Sequence, residues 1–437
     1  MKKLYLIFVS ALIILAWTVD WPRFFFPGLE TYIRWGSLVV PLAGLLIFGR
    51  KLARPVPAQI HIGFFGVLFC IFLSAVFNGI DMGQVIHITR LILCYLSIYT
   101  YLRVATNIDD LFLIFKTIQL SCLFICVSSL LLFWTDPAAA VNGRLTGISW
   151  EPNFIGYISM LLVGLTTVAD NSLYSRIFST LCVAVALWAS ILTEGSLAIA
   201  TIGLYLASIA LFYGLRASFY PRAQAHLLRW RLLYLACAAT LLFPLISVFS
   251  DRLAISNALY DDRSSLARYF AWSTSWDRFL SNPFVGAGYG VQTEIDSETA
   301  LLYSHSVIMD FLGTTGSLGL VAFVLMMIHC VGMAQKAPLV AVASNQKVAY
   351  VLNSSCGVIY ATLMYSSVEA GLQLMPQSWL LLWCSVGSLA FILQPVVVKK
   401  VRLRFTPSVT VHPASSLPNA AIRQRPGGLS EVEGRGV

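Results

Sequence analysis

Charge is what this chain has least of. Only 11% of its 437 residues are Asp, Glu, Lys or Arg, against roughly 25% in an average soluble domain. That scarcity excludes the string of soluble domains that length alone would suggest. Histidine is rarer, with six in all. Metal-ligand patterns are missing: the sequence has no HExxH, no paired CxxC and no DxD in the segments assigned below to the outer face. Metal-dependent transfer from a sugar nucleotide is therefore unsupported, and neither a metal site nor a cofactor is expected. A basic stripe interleaved with aromatics is also absent, so the net charge of +9 does not point to nucleic acid. The nine cysteines all fall in apolar segments and read as small buried hydrophobes, not as disulfide partners.

What is present is hydrocarbon-soluble sequence, 58% hydrophobic. A spanning helix needs about 20 mostly apolar residues. On that scale twelve segments qualify: Leu4–Val19, Tyr32–Phe48, Ile60–Phe77, Val85–Leu102, Leu111–Trp134, Phe154–Val168, Ile177–Leu192, Leu197–Phe212, Leu232–Phe249, Ser306–Val331, Val348–Ser367 and Trp379–Val398. The expected fold is an all-α polytopic membrane protein of about 12 transmembrane helices over residues 1–400. A large polar loop, 251–305, precedes the tenth. Residues 401–437, rich in Pro, Ser, Gly and Arg, read as a disordered tail.

Lys and Arg set the orientation. With the N-terminus cytoplasmic, twenty of the 29 fall in inner loops and the tail, and seven in outer loops. This is the positive-inside pattern, and it puts both termini in the cytoplasm and the 251–305 loop outside. Arg23 and Arg34 then read as interfacial anchors. Arg144, Arg263 and Arg268 run against the charge bias and flank polar motifs, and a guanidinium offers a rigid fork of donors suited to a diphosphate. Arg90 lies inside the fourth span, with His87 close by on the same helix face. A charge at that depth is costly, which makes a functional role the default reading. Lys116, in the next span, reads as a snorkelling lysine. His305 sits where the outer loop meets the tenth span, and an imidazole is the usual general base near neutral pH. The run Gly286-Ala-Gly288-Tyr-Gly290 has no strand–turn–helix context and is not a nucleotide loop. It reads as a turn that lets backbone approach a bulky ligand.

With these residues in hand, the chain resembles the O-antigen ligase and polymerase superfamily. The resemblance rests on Arg268-Tyr-Phe-Ala-Trp272, on Asn282-Pro283 with Gly286 and Gly288, on His305, and on Gly316 and Gly319, in that order. Gly143-Arg-Leu-Thr-Gly147 with Glu151-Pro-Asn153 is similar to an outer-loop motif of the polymerase branch. One departure is Glu194-Gly-Ser-Leu197, which stands where family members often carry Ser-Arg-Gly. The resemblance implies a bacterial inner-membrane enzyme acting on undecaprenyl-diphosphate-linked glycan at the periplasmic face, without metal or nucleotide. His305 and Arg268 would be catalytic. Arg144, Arg263, Arg90, Glu151, Gly286 and Gly288 would bind substrate. The implied partners are the lipid-linked glycan, membrane lipids, and chain-length regulator and export proteins. A polymerase of exopolysaccharide or O-antigen repeat units is the expectation; a ligase, or a transporter of polysaccharide or lipid-linked units, is the alternative.

Overall fold

The computed structural model describes residues 1–18, 30–48, 58–80, 82–136, 140–141, 143–145, 147, 152–166, 173–193, 196–218, 222–251, 263–288, 306–342, 344–368 and 376–393. His305, Glu151 and the 401–437 tail lie outside these residues. The architecture is all-α apart from one short ribbon. In chain order the helices are α1 (Lys2–Thr18), α2 (Glu30–Val39), α3 (Ala43–Phe48), α4 (Ala58–Asn78), α5 (Met82–Val104), α6 (Ile108–Thr135), α7 (Pro152–Leu165), α8 (Leu173–Leu192), α9 (Ser196–Ser218), α10 (Arg222–Asp251), α11 (Arg263–Ser281), α12 (Val307–Val342), α13 (Gln346–Val368) and α14 (Pro376–Ile392). Between α6 and α7, β1 (Ala140–Val141) pairs antiparallel with β2 (Arg144–Leu145), with Val141 opposite Arg144.

Each of the twelve apolar segments contains helix among its described residues. Among the described residues, six helices are long and apolar enough to cross a membrane by length and composition: His61–Asn78, Gln84–Val104, Ile108–Thr135, Tyr174–Leu192, Val307–Ala337 and Gln346–Ser366. Rows of large apolar side chains face outward, such as Phe65, Phe69 and Phe72 on α4 and Val321, Leu325 and Ile328 on α12. Such surface suits hydrocarbon and would be a liability in water. The chain is a membrane protein by this measure.

The polar residues that remain are used at helix ends and inside the bundle. Asn107 and Asp110 form a reciprocal capping box at the start of α6: the Asn107 side chain accepts from the Asp110 amide at 2.8 Å, and Asp110 accepts from the Asn107 amide at 3.3 Å. Asp110 also pairs with Lys2, and Asp109 with Lys347. The starts of α1, α6 and α13 are thereby pinned at one end of the bundle.

Helix α13 is the central post, packed by α7, α10, α12 and α14. Its backbone meets that of α7 where Gly357 faces Gly164, so closely that a Cβ on Gly357 would lie 2.0 Å from the Gly164 carbonyl oxygen. Small residues at such crossings let helices pack in lipid, where no hydrophobic effect drives them together. Interior side chains pair across helices. The Tyr205 hydroxyl donates to Thr166 O at 2.6 Å and accepts from Arg229 Nη2 at 2.8 Å. Lys116, expected to snorkel, donates to Gln119 Oε1 at 3.0 Å and lies 4.3 Å from the Phe178 ring centre. All nine cysteines are free, and eight are buried.

Candidate functional site

The 251–305 segment reads as loop in sequence, yet residues 263–281 of it form α11. Its apolar residues are spaced helically, at Trp272, Trp276 and Phe279, among Ser, Thr, Asp and Arg that keep it too polar to register as a span. Trp272 is the anchor. It is buried against Val248 of α10 and Met309 of α12, with Trp276 packed on the same cluster. Phe243 meets its ring edge-on at 6.0 Å. The Trp of the Arg-x-x-x-Trp motif thus wedges α11 between α10 and α12. Arg268 lies one helical turn before it and Arg263 opens the helix.

Directly after α11, residues 282–288 dock into a break in α12. Gly316 interrupts that helix with φ 64° and ψ −161°. In an unbroken helix the Gly313 and Thr314 carbonyls would accept from the Ser317 and Leu318 amides. Here the loop takes both places. The Ala287 amide donates to Gly313 O at 2.9 Å and the Gly288 amide to Thr314 O at 3.0 Å. In return, the Ser317 amide donates to Pro283 O at 2.8 Å and the Leu318 amide to Phe284 O at 3.3 Å. Two donors and two acceptors are exchanged, so the Gly313 and Thr314 carbonyls and the Ser317 and Leu318 amides all keep partners. Irregular backbone survives at membrane depth only when it is satisfied in this way.

The motif glycines make this docking possible. Gly286 has φ 66°, and a Cβ on it would lie 2.5 Å from the Thr314 carbonyl carbon. A Cβ on Gly316 would lie 2.5 Å from the Phe284 carbonyl. In sequence Gly286 and Gly288 read as giving a ligand close access to backbone; the backbone they approach is that of α12. Helix α4 closes the third side. Ser74 Oγ lies 2.6 Å from both Val285 O and Thr314 O, and Asn78 Nδ2 donates to Gly286 O at 3.0 Å.

Above the break, the first turns of α12 carry Ser306, one residue past His305, and Asp310, both buried. The Asp310 amide donates to Ser306 O at 2.8 Å. Arg278, in the last turn of α11, is half-buried. Burial lowers its pKa, and the Asp310 carboxylate opposes that shift and favours the charged guanidinium. Sequence reasoning passed over both residues, although an aspartate four places after Ser306 in an apolar helix is a signal worth following.

The other candidates sit on different elements. Arg144 lies in β2, and its Nε donates to Thr193 O at 2.9 Å, just past the end of α8. A cation there complements the helix dipole. Arg90 on α5 places its guanidinium 5.2 Å from the centre of the Trp35 ring. Among the described residues no cluster of three or more His, Cys, Asp or Glu could hold a metal.

Comparison with known proteins bears on the same region. No curated protein matches the chain. The model of the O-antigen ligase family matches residues 181–324, a stretch that runs from α8 through α11 and the docked loop to just past the break in α12. The match supports a role in O-antigen or polysaccharide assembly and a glycosyl-transfer type of enzyme acting on lipid-linked glycans. Over that stretch, about a third of the chain, it is similar to the O-antigen ligase family, and the match supports the resemblance to the O-antigen ligase and polymerase superfamily.

Proposed function

We propose that this chain is a polymerase that joins undecaprenyl-diphosphate-linked oligosaccharide repeat units at the periplasmic face of a bacterial inner membrane, in exopolysaccharide or O-antigen synthesis. In this reading the twelve apolar segments all span and both termini are cytoplasmic. The observation that carries it is the unit made by α11, the docked loop and the broken α12. It lies within the family-matched stretch, and it holds the Arg268 helix and the first residue after His305 on one framework.

The reaction is displacement at the anomeric carbon. A hydroxyl of the acceptor sugar attacks, the bond to the donor diphosphate breaks, and undecaprenyl diphosphate leaves. His305 takes the hydroxyl proton as general base. Arg268, with Arg263, faces the charge that grows on the leaving diphosphate, and electrostatic stabilisation of that charge is the largest gain available. Arg144, Arg90 and Glu151 contribute to holding the glycan and lipid diphosphate, and Gly286 and Gly288 shape the floor of the site. The donor bond stores the energy, so neither nucleotide nor metal is needed.

A ligase is the second reading, and the family match does not distinguish it from a polymerase. One experiment separates the two and tests both. Purified chain is given synthetic lipid-linked donor with chelator and no nucleotide. Lengthening of glycan on the undecaprenyl carrier supports the polymerase, and transfer only to a different lipid acceptor supports the ligase. His305→Ala is expected to lower either rate by about 10²–10⁴-fold. Full activity of that variant removes the base, and a strict need for metal or nucleotide removes the mechanism.

A further inference from the structure

The docked loop has two carbonyls that face neither its own turn nor α12. Val285 O and Gly286 O accept, among the described residues, only from side chains of α4: Ser74 Oγ at 2.6 Å and Asn78 Nδ2 at 3.0 Å. Ser74 is fully buried. Its hydroxyl proton is shared with Thr314 O, also at 2.6 Å, but Thr314 O already accepts from the Gly288 amide. The proton is therefore of most use at Val285 O. Asn78, one turn on, spends its second donor on Ser74 O at 2.9 Å, which fixes the amide in place. A single small hydroxyl thus touches both backbones of the docking, the loop at Val285 and the helix at Thr314.

We propose that Ser74 and Asn78 are positioning residues of the transfer site, acting through the 282–288 loop; this rests on the polymerase-or-ligase reading above. They stand more than a hundred residues before the family-matched stretch, so no motif in that stretch covers them. The loop joins the end of the Arg268 helix to the segment leading to His305. Its position on α12 fixes the end of the Arg268 helix against the first turn of α12, which follows His305 in sequence. A part-buried carbonyl left without its donor is costly, and withdrawing either α4 donor favours the undocked loop. Undocking does not strand α12, because its Ser317 and Leu318 amides can return to Gly313 O and Thr314 O. The α4 clamp is what makes the docked arrangement the preferred one.

The test uses the full purified chain and a synthetic undecaprenyl-diphosphate-linked oligosaccharide. Ser74→Ala and Asn78→Asp each remove the donor. Ser74→Thr keeps it. Ser128→Ala is the control, since that half-buried hydroxyl bonds, among the described residues, only within its own helix. Ser74→Ala and Asn78→Asp are expected to lower kcat by about 10- to 100-fold, with KM changed less than about twofold. Amide exchange at Ala287 and Gly288 should quicken by a similar factor while α13 stays protected. Ser74→Thr should restore both readings, and Ser128→Ala should change neither.

Wild-type exchange at the Ala287 and Gly288 amides in Ser74→Ala overturns the clamp. Faster exchange with unchanged kcat overturns the positioning role. A loss of activity that only tracks the unfolded fraction assigns both residues to stability alone. If the wild-type chain transfers no glycan to either class of acceptor, the proposed function fails and the positioning role falls with it, while the exchange measurements still decide the clamp.

Discussion

Replacing Gly316 by alanine tests the docking from the helix side. The added methyl would sit 2.5 Å from the Phe284 carbonyl carbon and oxygen and 2.7 Å from the Val285 amide nitrogen, all backbone atoms with little room to give. The backbone at φ 64° and ψ −161° lies in a region nearly exclusive to glycine, at a strain of about 1–3 kcal/mol for any other residue. Forcing the methyl into place adds about 1–3 kcal/mol of overpacking. The other route is release of the loop. Four cross-links at about 0.5–1.5 kcal/mol each are then lost, and α12 regains two of its own at the same scale. Alanine in the restored helix returns a further ~0.5–1 kcal/mol. Release therefore costs about 0.5–2 kcal/mol net and is the route the variant takes. The expected outcome is a small drop in the global unfolding midpoint in detergent, loss of amide protection confined to Ala287 and Gly288, and loss of glycan transfer. Gly203→Ala is the matched control: that glycine is helical with nothing within 4 Å of the added Cβ, and the change should be neutral or stabilising. Retention of protection at Ala287 and Gly288 in Gly316→Ala would refute the exchange of hydrogen bonds described here.

Trp272→Ala should destabilise the chain by about 3–5 kcal/mol, because it empties the contact between α10, α11 and α12; denaturant titration checks this, and a shift below 1 kcal/mol would show the wedge to be dispensable. Gly357→Ala should be worse tolerated than any exposed alanine substitution, since its Cβ would overlap the Gly164 carbonyl at 2.0 Å; yield of folded protein is the readout. Arg268→Lys should reduce transfer although it keeps the charge, since an ammonium lacks the bidentate fork; a wild-type rate would remove Arg268 from the diphosphate.

The helical segments were legible because an apolar run of spanning length has one stable solution in lipid. Helix α11 was not, because Ser264, Ser265, Ser273, Thr274 and Asp277 dilute its apolar face below the threshold that marks a span. The glycines at 286 and 316 could be picked out in sequence, but their purpose could not. Each fits against the other's segment, and no local periodicity records a contact between a loop and a helix 28 residues further on. Ser74 gave no signal at all: one serine in an apolar helix is ordinary until its acceptors are seen. Asp310 gave a signal that went unread, an acid among Val307, Ile308, Met309 and Phe311.

The reach of the α4 clamp also bears on how the chain is made. Ser74 finds its partners 211 and 240 residues further along the chain. At about 5–20 residues per second of synthesis, α4 is in place for roughly 10–50 s before those partners exist. Through that interval a serine and an asparagine face lipid or a transient neighbour with no loop to hold. The docking of α4 on the loop and α12 therefore matures long after α4 itself is made. A nascent chain stalled before residue 288 would carry α4 with its clamp still open, a feature that membrane quality control could read as an unfinished protein.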